Sequence, residues 1–163
     1  MIVLTPAQLK QVVDAAEAAW PAECCGLLIG AERPDGATEV ARVAPSPNRA
    51  TGRDGRPARD RFEVDPALRL ELQRRLRGGA HRLVGLYHSH PGRPARPSQR
   101  DLDAAWEPDL LWLITAVVDG QAVQTTAHRR SPDASRFIEI AVRTDDWGPD
   151  PTRPPPGLGD TGG

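Results

Sequence analysis

The sequence has little that would direct the chain to a membrane, to nucleic acid or to an oxidising compartment. No apolar run approaches the roughly 20 residues of a membrane helix, and MIVLTPAQLK lacks the basic start and long apolar stretch of a secretory signal. The formal net charge is only −1, which predicts neither nucleic acid nor an acidic membrane as a partner. The two cysteines, Cys24 and Cys25, are adjacent, and such pairs seldom form a disulfide. We therefore expect a cytoplasmic protein.

Hydrophobic periodicity predicts a mixture of helices and strands along the 163 residues, which suffice for one domain with a hydrophobic core. Thr5 and Pro6 have the pattern of a capped helix start, and apolar residues at helical spacing continue to Trp20. Two further helices are predicted, one opened by the aspartate and proline of FEVDP and one from Ser98 to about Trp106. Strands are predicted at CCGLLIG, TEVARVAP, FEVDP, RLVGLYHSH, LLWLITAVV, QAVQTTAHR and RFIEIAVR.

Composition divides the chain into a body, residues 1–144, and a tail, residues 145–163. The tail is rich in proline and glycine and is expected to be disordered. Within the body, the polar segment SPNRATGRDGRPARDR at 46–61 predicts a long exposed loop. The order of helices and strands predicts a mixed β-sheet with helices packed on it, in the α/β or α+β class.

Residues with the chemistry of a metal site lie at the end of the predicted strand RLVGLYHSH and shortly after it. His88 and His90 are two residues apart and project to one side of an extended chain, and Asp101 lies in the first turn of the next predicted helix. Two imidazoles and a carboxylate suit zinc, copper, nickel or iron, and leave a fourth tetrahedral position for water on zinc. Ser98 and Asp101 also fit an ordinary helix cap, which needs no metal. Spacing alone leaves both interpretations open.

The full spacing resembles a known signature. His88-x-His90, seven residues, Ser98, two residues and Asp101 match the pattern of the JAMM (MPN-plus) metallopeptidases. That family has a glutamate ahead of an apolar strand, and PAECCGLLIG is similar to this segment, with Glu23 in place. RFEVDP and GLYHSHPG also resemble its bacterial branch. The resemblance implies a central mixed sheet flanked by helices, the fold shared with zinc cytidine deaminases.

The resemblance also implies a role for each residue of the signature. His88, His90 and Asp101 would hold one zinc ion. Glu23 would accept a proton from zinc-bound water and pass it to the leaving amine. Ser98 would donate its hydroxyl to the oxyanion. The reaction implied is hydrolysis of a peptide or isopeptide bond after the C-terminal Gly-Gly of a ubiquitin-like sulfur-carrier protein, with no covalent intermediate.

Three other functions are open at this stage. One is a non-catalytic interaction module of the same fold, although such relatives typically lack one or more of the ligands. Another is a zinc nucleoside deaminase, which would use His-x-Glu with a later Pro-Cys-x-x-Cys, and this chain has no such cysteine pair. The last is a phosphoesterase, which would want more histidines and carboxylates for a second metal.

Side chains outside the signature have simpler expectations. His81 and His128 match nothing in it and are expected at the surface. Trp106 and Trp112 are expected in the core. Ser89 lies between the two histidines, points to the opposite side of the strand and is expected to be structural.

Overall fold

The computed structural model describes residues 1–145. The tail predicted for residues 145–163 therefore lies, beyond Asp145, outside the described residues. None of the helices within 1–145 combines the length and the apolar character needed to cross a membrane. The elements, in chain order, are β1 (Ile2–Leu4), α1 (Pro6–Ala19), β2 (Cys25–Glu32), β3 (Thr38–Ser46), α2 (Pro66–Leu76), β4 (Arg82–Pro91), α3 (Gln99–Ala104), β5 (Leu111–Val118), β6 (Gln121–Arg130), β7 (Phe137–Ile140) and β8 (Val142–Thr144).

The strands form one mixed sheet in the order β7-β6-β5-β4-β2-β3-β1-β8. Strands β4 and β5 are parallel, whereas β2 is antiparallel to both of its neighbours, β4 and β3. Alternate side chains point to opposite faces, and each face is covered by helix. The core under α1 contains Ile2, Leu4, Val12, Leu28, Val40, Val43, Val84, Tyr87, Leu113 and Ala127. The core under α2 contains Leu27, Ile29, Ala44, Leu72, Leu86, Ala105 and Trp112. The predicted mixed sheet flanked by helices is confirmed.

Helix α1 begins where the sequence predicts. The Gln8 backbone N–H donates to Thr5 Oγ1, and the Thr5 N–H donates to Gln8 Oε1 at 2.8 Å, so two orphan amides of the first turn are satisfied. The Gln8 side chain also donates to the Val40 carbonyl of β3 at 2.9 Å. This bond joins the helix start to the sheet, and Val12 and Ala16 are buried against it.

Strand β4 lies in the middle of the sheet and carries both histidines of the signature. His88 pairs with Cys25 of β2 on one side and with Ile114 of β5 on the other. Because side chains alternate, His88 and His90 share the α2 face with Leu86, while Tyr87 belongs to the opposite core. The site is therefore built on a strand whose backbone is held from both sides.

Two strand predictions are wrong. FEVDP forms no strand, and its ladder contact is one isolated bridge between Asn48 and Val64, because Asp65 already caps α2 by accepting from the Ala67 N–H. RFIEIAVR is two strands, since β7 pairs with β6 at one edge of the sheet and β8 pairs with β1 at the other. Only Ala141 separates them, so the sheet curves until its two edges meet there.

The prediction that Trp106 lies in the core is also wrong. Helix α3 ends at Ala104, short of the predicted end, and the Trp106 side chain is 76% exposed instead of lying in the core. Trp112 is buried and His81 is exposed, as expected. Ser89 is turned away from the histidines, and its hydroxyl accepts from the Cys24 N–H at 2.8 Å, which agrees with a structural role.

Candidate metal centre

The end of β4 and the first turn of α3 bring three buried side chains together. The Nε2 atoms of His88 and His90 are 3.0 Å apart. Asp101 places Oδ1 3.2 Å from His88 Nε2 and Oδ2 3.3 Å from His90 Nε2. All three residues are at most 6% exposed. The predicted ligand set is thus a single cluster that a metal ion could share.

These atoms are close enough together to bind one small metal ion. Nitrogen and oxygen ligands lie about 2.0–2.1 Å from zinc, so two ligands on one tetrahedral ion are about 3.3 Å apart. The two imidazole nitrogens are 3.0 Å apart, and each lies 3.2 or 3.3 Å from a different oxygen of the Asp101 carboxylate. Two imidazoles with one carboxylate are also a donor set that zinc and related divalent ions accept. The residues present therefore fit a metal site.

Neighbouring groups orient each imidazole. The carbonyl of Pro94 can only accept, so His90 Nδ1, 2.9 Å from it, carries a proton and leaves the Nε2 lone pair facing the cluster. His88 is held by packing instead, because its ring stacks on Phe62 with centroids 4.4 Å apart and meets the edge of Trp112. Burial lowers the pKa of His88 and so favours its neutral, metal-binding form.

Asp101 serves the cluster and the helix cap at once. Burial by itself would raise the pKa of its carboxyl group, but its polar contacts with His88, His90 and the Ser98 N–H outweigh this and hold the pKa well below its usual range. The backbone N–H and the hydroxyl of Ser98 both donate to Asp101 Oδ2, at 2.6 and 2.7 Å. The metal site and the helix cap, the two interpretations that the spacing left open, are therefore compatible in one geometry.

Glu23 is a buried carboxyl group with one free oxygen. It is 2% exposed, and within residues 1–145 its Oε2 has no hydrogen-bond partner. Burial raises its pKa to about 8, opposed by the positive charge of Arg93 and reinforced by the negative charge of Asp101. A carboxyl group with this pKa can both take up and release a proton near neutral pH.

The segment around Glu23 is held by the loop 46–61. The Glu23 N–H donates to the Ala58 carbonyl at 2.9 Å, and Asn48 Nδ2 donates to the Glu23 carbonyl at 3.1 Å. Asn48 Oδ1 in turn accepts from the N–H groups of Ala50 and Glu63. The loop is mostly exposed, as predicted, yet Asn48 ties it to the site.

The sequence did not predict a second contact that holds a loop of the site, made by residues of β6. His128 is buried, not at the surface, and its Nε2 lies 2.9 Å from Thr126 Oγ1. The Thr126 hydroxyl donates its one proton to the Ala95 carbonyl, so the histidine nitrogen is the donor to Thr126. Ala95 lies in the loop between His90 and Ser98. The one feature of the sequence that could have indicated this contact is the two-residue spacing of Thr126 and His128, which puts both on the same face of the strand.

We expect Thr126→Val to weaken metal binding by about 10–100-fold, the range typical of groups that support metal ligands indirectly. The loop would lose the hydroxyl that holds the Ala95 carbonyl. A matched control is Thr125→Val one residue earlier, whose hydroxyl pairs with Thr115. Zinc titration of both variants checks this prediction, and equal zinc affinity in the two would contradict it.

Comparison with known proteins agrees with the geometry. A profile of the prokaryotic homologs of the JAB domain matches residues 5–131. The chain belongs to this family. As a prokaryotic JAB-domain protein it has the fold of a solution structure from Desulfitobacterium hafniense, with a TM-score of 0.74, 30% identity, and coverage of 90% of this chain and 94% of that one. A JAB1/MPN domain protein from Archaeoglobus fulgidus, 17% identical with a TM-score of 0.54 over 89% of this chain and 97% of that one, shares the fold.

Two kinds of curated relative match this JAB-domain protein in sequence. The CysO-cysteine peptidase of Mycobacterium tuberculosis is 27% identical over 122 residues, which are 75% of this chain and 73% of that protein. The histone deubiquitinase MYSM1 of Branchiostoma floridae is 36% identical over 83 residues, or 50% of this chain. That match spans only 9% of MYSM1.

Proposed function

We propose that this protein is a zinc-dependent peptidase that cuts after the C-terminal Gly-Gly of a ubiquitin-like sulfur carrier, with residues 1–144 as the catalytic domain. The observation that carries the proposal is the buried cluster of His88, His90 and Asp101, whose imidazole Nε2 atoms each lie within 3.3 Å of a carboxylate oxygen. A buried glutamate of raised pKa accompanies it. A non-catalytic module would need neither the ligand set nor a buried carboxyl group with a free oxygen.

His88, His90 and Asp101 would hold the ion. When bound there, zinc supplies Lewis acidity that lowers the pKa of water and polarises a carbonyl oxygen. Glu23 would accept the proton of the attacking water on its free Oε2 and return it to the leaving nitrogen. Ser98, at the start of α3, would turn its hydroxyl from Asp101 Oδ2 towards the oxygen that becomes negatively charged.

The substrate class is proposed from the mycobacterial relatives, whose printed name is CysO-cysteine peptidase. We assign the substrate to a groove of about 300 Å³ near the cluster, which His88, His90 and Asp101 do not themselves line. It shares Phe62 and Trp112 with the wall that packs against His88. The exposed Trp106 lies on its lining and offers apolar surface to a partner.

The test combines metal analysis with mass spectrometry. Zinc-loaded protein is incubated with CysO carrying a C-terminal cysteine, the conjugate in the relatives' name, and with other carriers extended beyond Gly-Gly. We expect loss of the extension, and no loss after the metal is removed by a chelator. Zinc-loaded protein that leaves every such carrier intact would favour the non-catalytic interaction module.

Ser98→Ala is expected to lower turnover by about 10²–10³-fold, the cost typical of one oxyanion donor. It should also lower the free energy of unfolding by about 0.5–2 kcal/mol, because the cap of α3 is lost. Ser98→Thr is the matched control, since it keeps a hydroxyl. If Ser98→Ala loses stability but keeps full turnover, Ser98 is only a cap.

A further inference from the structure

We infer that Arg93 binds the α-carboxylate of the residue released by the reaction, so that the enzyme prefers a peptide bond to a single terminal amino acid over a lysine isopeptide bond. The inference rests on the proposed function and deepens it, because it concerns the leaving side of the same bond. It is carried by the position, exposure and contacts of the Arg93 guanidinium.

Arg93 follows the ligand His90 by three residues, in the loop that leads to Ser98. Its direction is set by a tight turn, in which Gly92 has a φ of 66° and its N–H donates to the Val117 carbonyl at 2.7 Å. A left-handed φ of this kind favours glycine. From this turn the Arg93 side chain reaches back to the Glu23 carboxylate.

The guanidinium connects the buried base to solvent. The Arg93 side chain is 35% exposed, whereas that of Glu23 is 2% exposed. Among residues 1–145, the Arg93 guanidinium hydrogen-bonds only to Glu23, through Nη2. A guanidinium has five N–H donors in a planar fork. The donors that do not touch Glu23 are therefore available to an anion that enters the site.

Other arginines nearby do not have this arrangement. Arg96, three residues further along the same loop, is exposed, and Arg100 pairs with Asp60 at 3.4 Å. In the described part of the chain, Arg93 is the one cation that forms an ion pair with Glu23. A substrate anion near Glu23 would meet Arg93 first.

The structure of the leaving group explains why the anion is the α-carboxylate of the released amino acid. When one amino acid leaves, its carboxylate carbon is two bonds from the nitrogen that Glu23 must protonate, or about 2.5 Å away. With Glu23 within hydrogen-bonding reach of that nitrogen, the carboxylate falls within reach of a guanidinium that already touches Glu23. In a lysine isopeptide, four methylene groups separate the nitrogen from the Cα. Arg93 therefore distinguishes the two substrates by where the negative charge lies.

The experiment compares two forms of one probe, CysO with a Gly-Gly end extended by a single alanine, as the free acid and as the amide. We expect zinc-loaded wild-type protein to prefer the acid by about 10–100-fold in kcat/KM, as suits a charge-assisted, two-pronged contact. Arg93→Gln should bring the acid-to-amide ratio close to 1, chiefly by raising KM for the acid. The ratio cancels any effect of the substitution on Glu23, since both substrates need that residue.

Two further variants sharpen the result. Arg93→Lys should keep an intermediate preference, because a lysine retains the charge without the planar fork. Arg96→Gln, in the same loop, should leave the preference unchanged. Equal rates for acid and amide in the wild type, or a preference that survives Arg93→Gln, would overturn the inference while the proposed function stands. Cleavage of neither form would overturn the proposed function and the inference together.

Discussion

Replacing Glu23 by glutamine is expected to lower turnover by about 10²–10⁴-fold, the contribution typical of a general acid–base group, with the metal still bound. Glutamine has nearly the shape of glutamate and can still accept from Arg93, so the buried position should stay filled. It cannot take up a proton at neutral pH. The loss should therefore appear in kcat, with the fold and the metal content retained.

The control for this variant is Glu71→Gln on α2. Glu71 is an exposed carboxylate paired with Arg75 one helical turn away, and such a surface pair contributes little to stability. Rates from mass spectrometry of a carrier extended beyond Gly-Gly, with zinc measured in the same samples, check the prediction. Full activity in Glu23→Gln would show that another group moves the proton.

Replacing His88 by alanine is expected to reduce zinc affinity by more than about 100-fold, beyond the effect of removing an indirect support. The variant would lose one of the three proposed ligands, leaving only His90 and Asp101 to hold the ion. Zinc that binds only the folded protein raises its stability, by about 2.7 kcal/mol at 100 times Kd. Added zinc should thus raise the Tm of the wild type and leave that of the variant almost unchanged.

His81→Ala is the matched control, because His81 is exposed and outside the cluster. Zinc content after dialysis and thermal unfolding with and without zinc give two independent measurements. The variant's near-ultraviolet circular dichroism should resemble that of the wild type if the fold is retained. Equal zinc content in His88→Ala and the wild type would place the ion elsewhere and remove the basis of the proposed function.

The sequence predicts the cluster of His88, His90 and Asp101 better than it predicts the contacts around that cluster. Residues two apart on a strand must share a face, so the convergence of His88 and His90 follows from local geometry. Asp101 follows from the helix start, where Ser98 fixes its position. Their roles in catalysis come from the family resemblance and stay predictions.

What the sequence did not predict depends on contacts between distant segments. His128 is buried because Thr126 links it to Ala95, 31 residues earlier in the chain than Thr126. RFIEIAVR divides at Ala141 because the curved sheet brings its two edges together, which no local pattern encodes. Arg93 reaches Glu23 across 70 positions of sequence. Such contacts are set by the whole fold, so periodicity in one segment does not contain them.

The two histidines lie on β4, whose backbone is bonded to β2 and β5 on either side. The sheet, the Phe62 ring and the Pro94 carbonyl therefore fix the positions of their imidazoles even when no ion is bound. Small zinc-binding domains unfold when the metal is removed. We expect this protein to stay folded without the metal. Cobalt(II) could then be exchanged into the folded protein, and its visible absorption would report the coordination of the site as a substrate arrives.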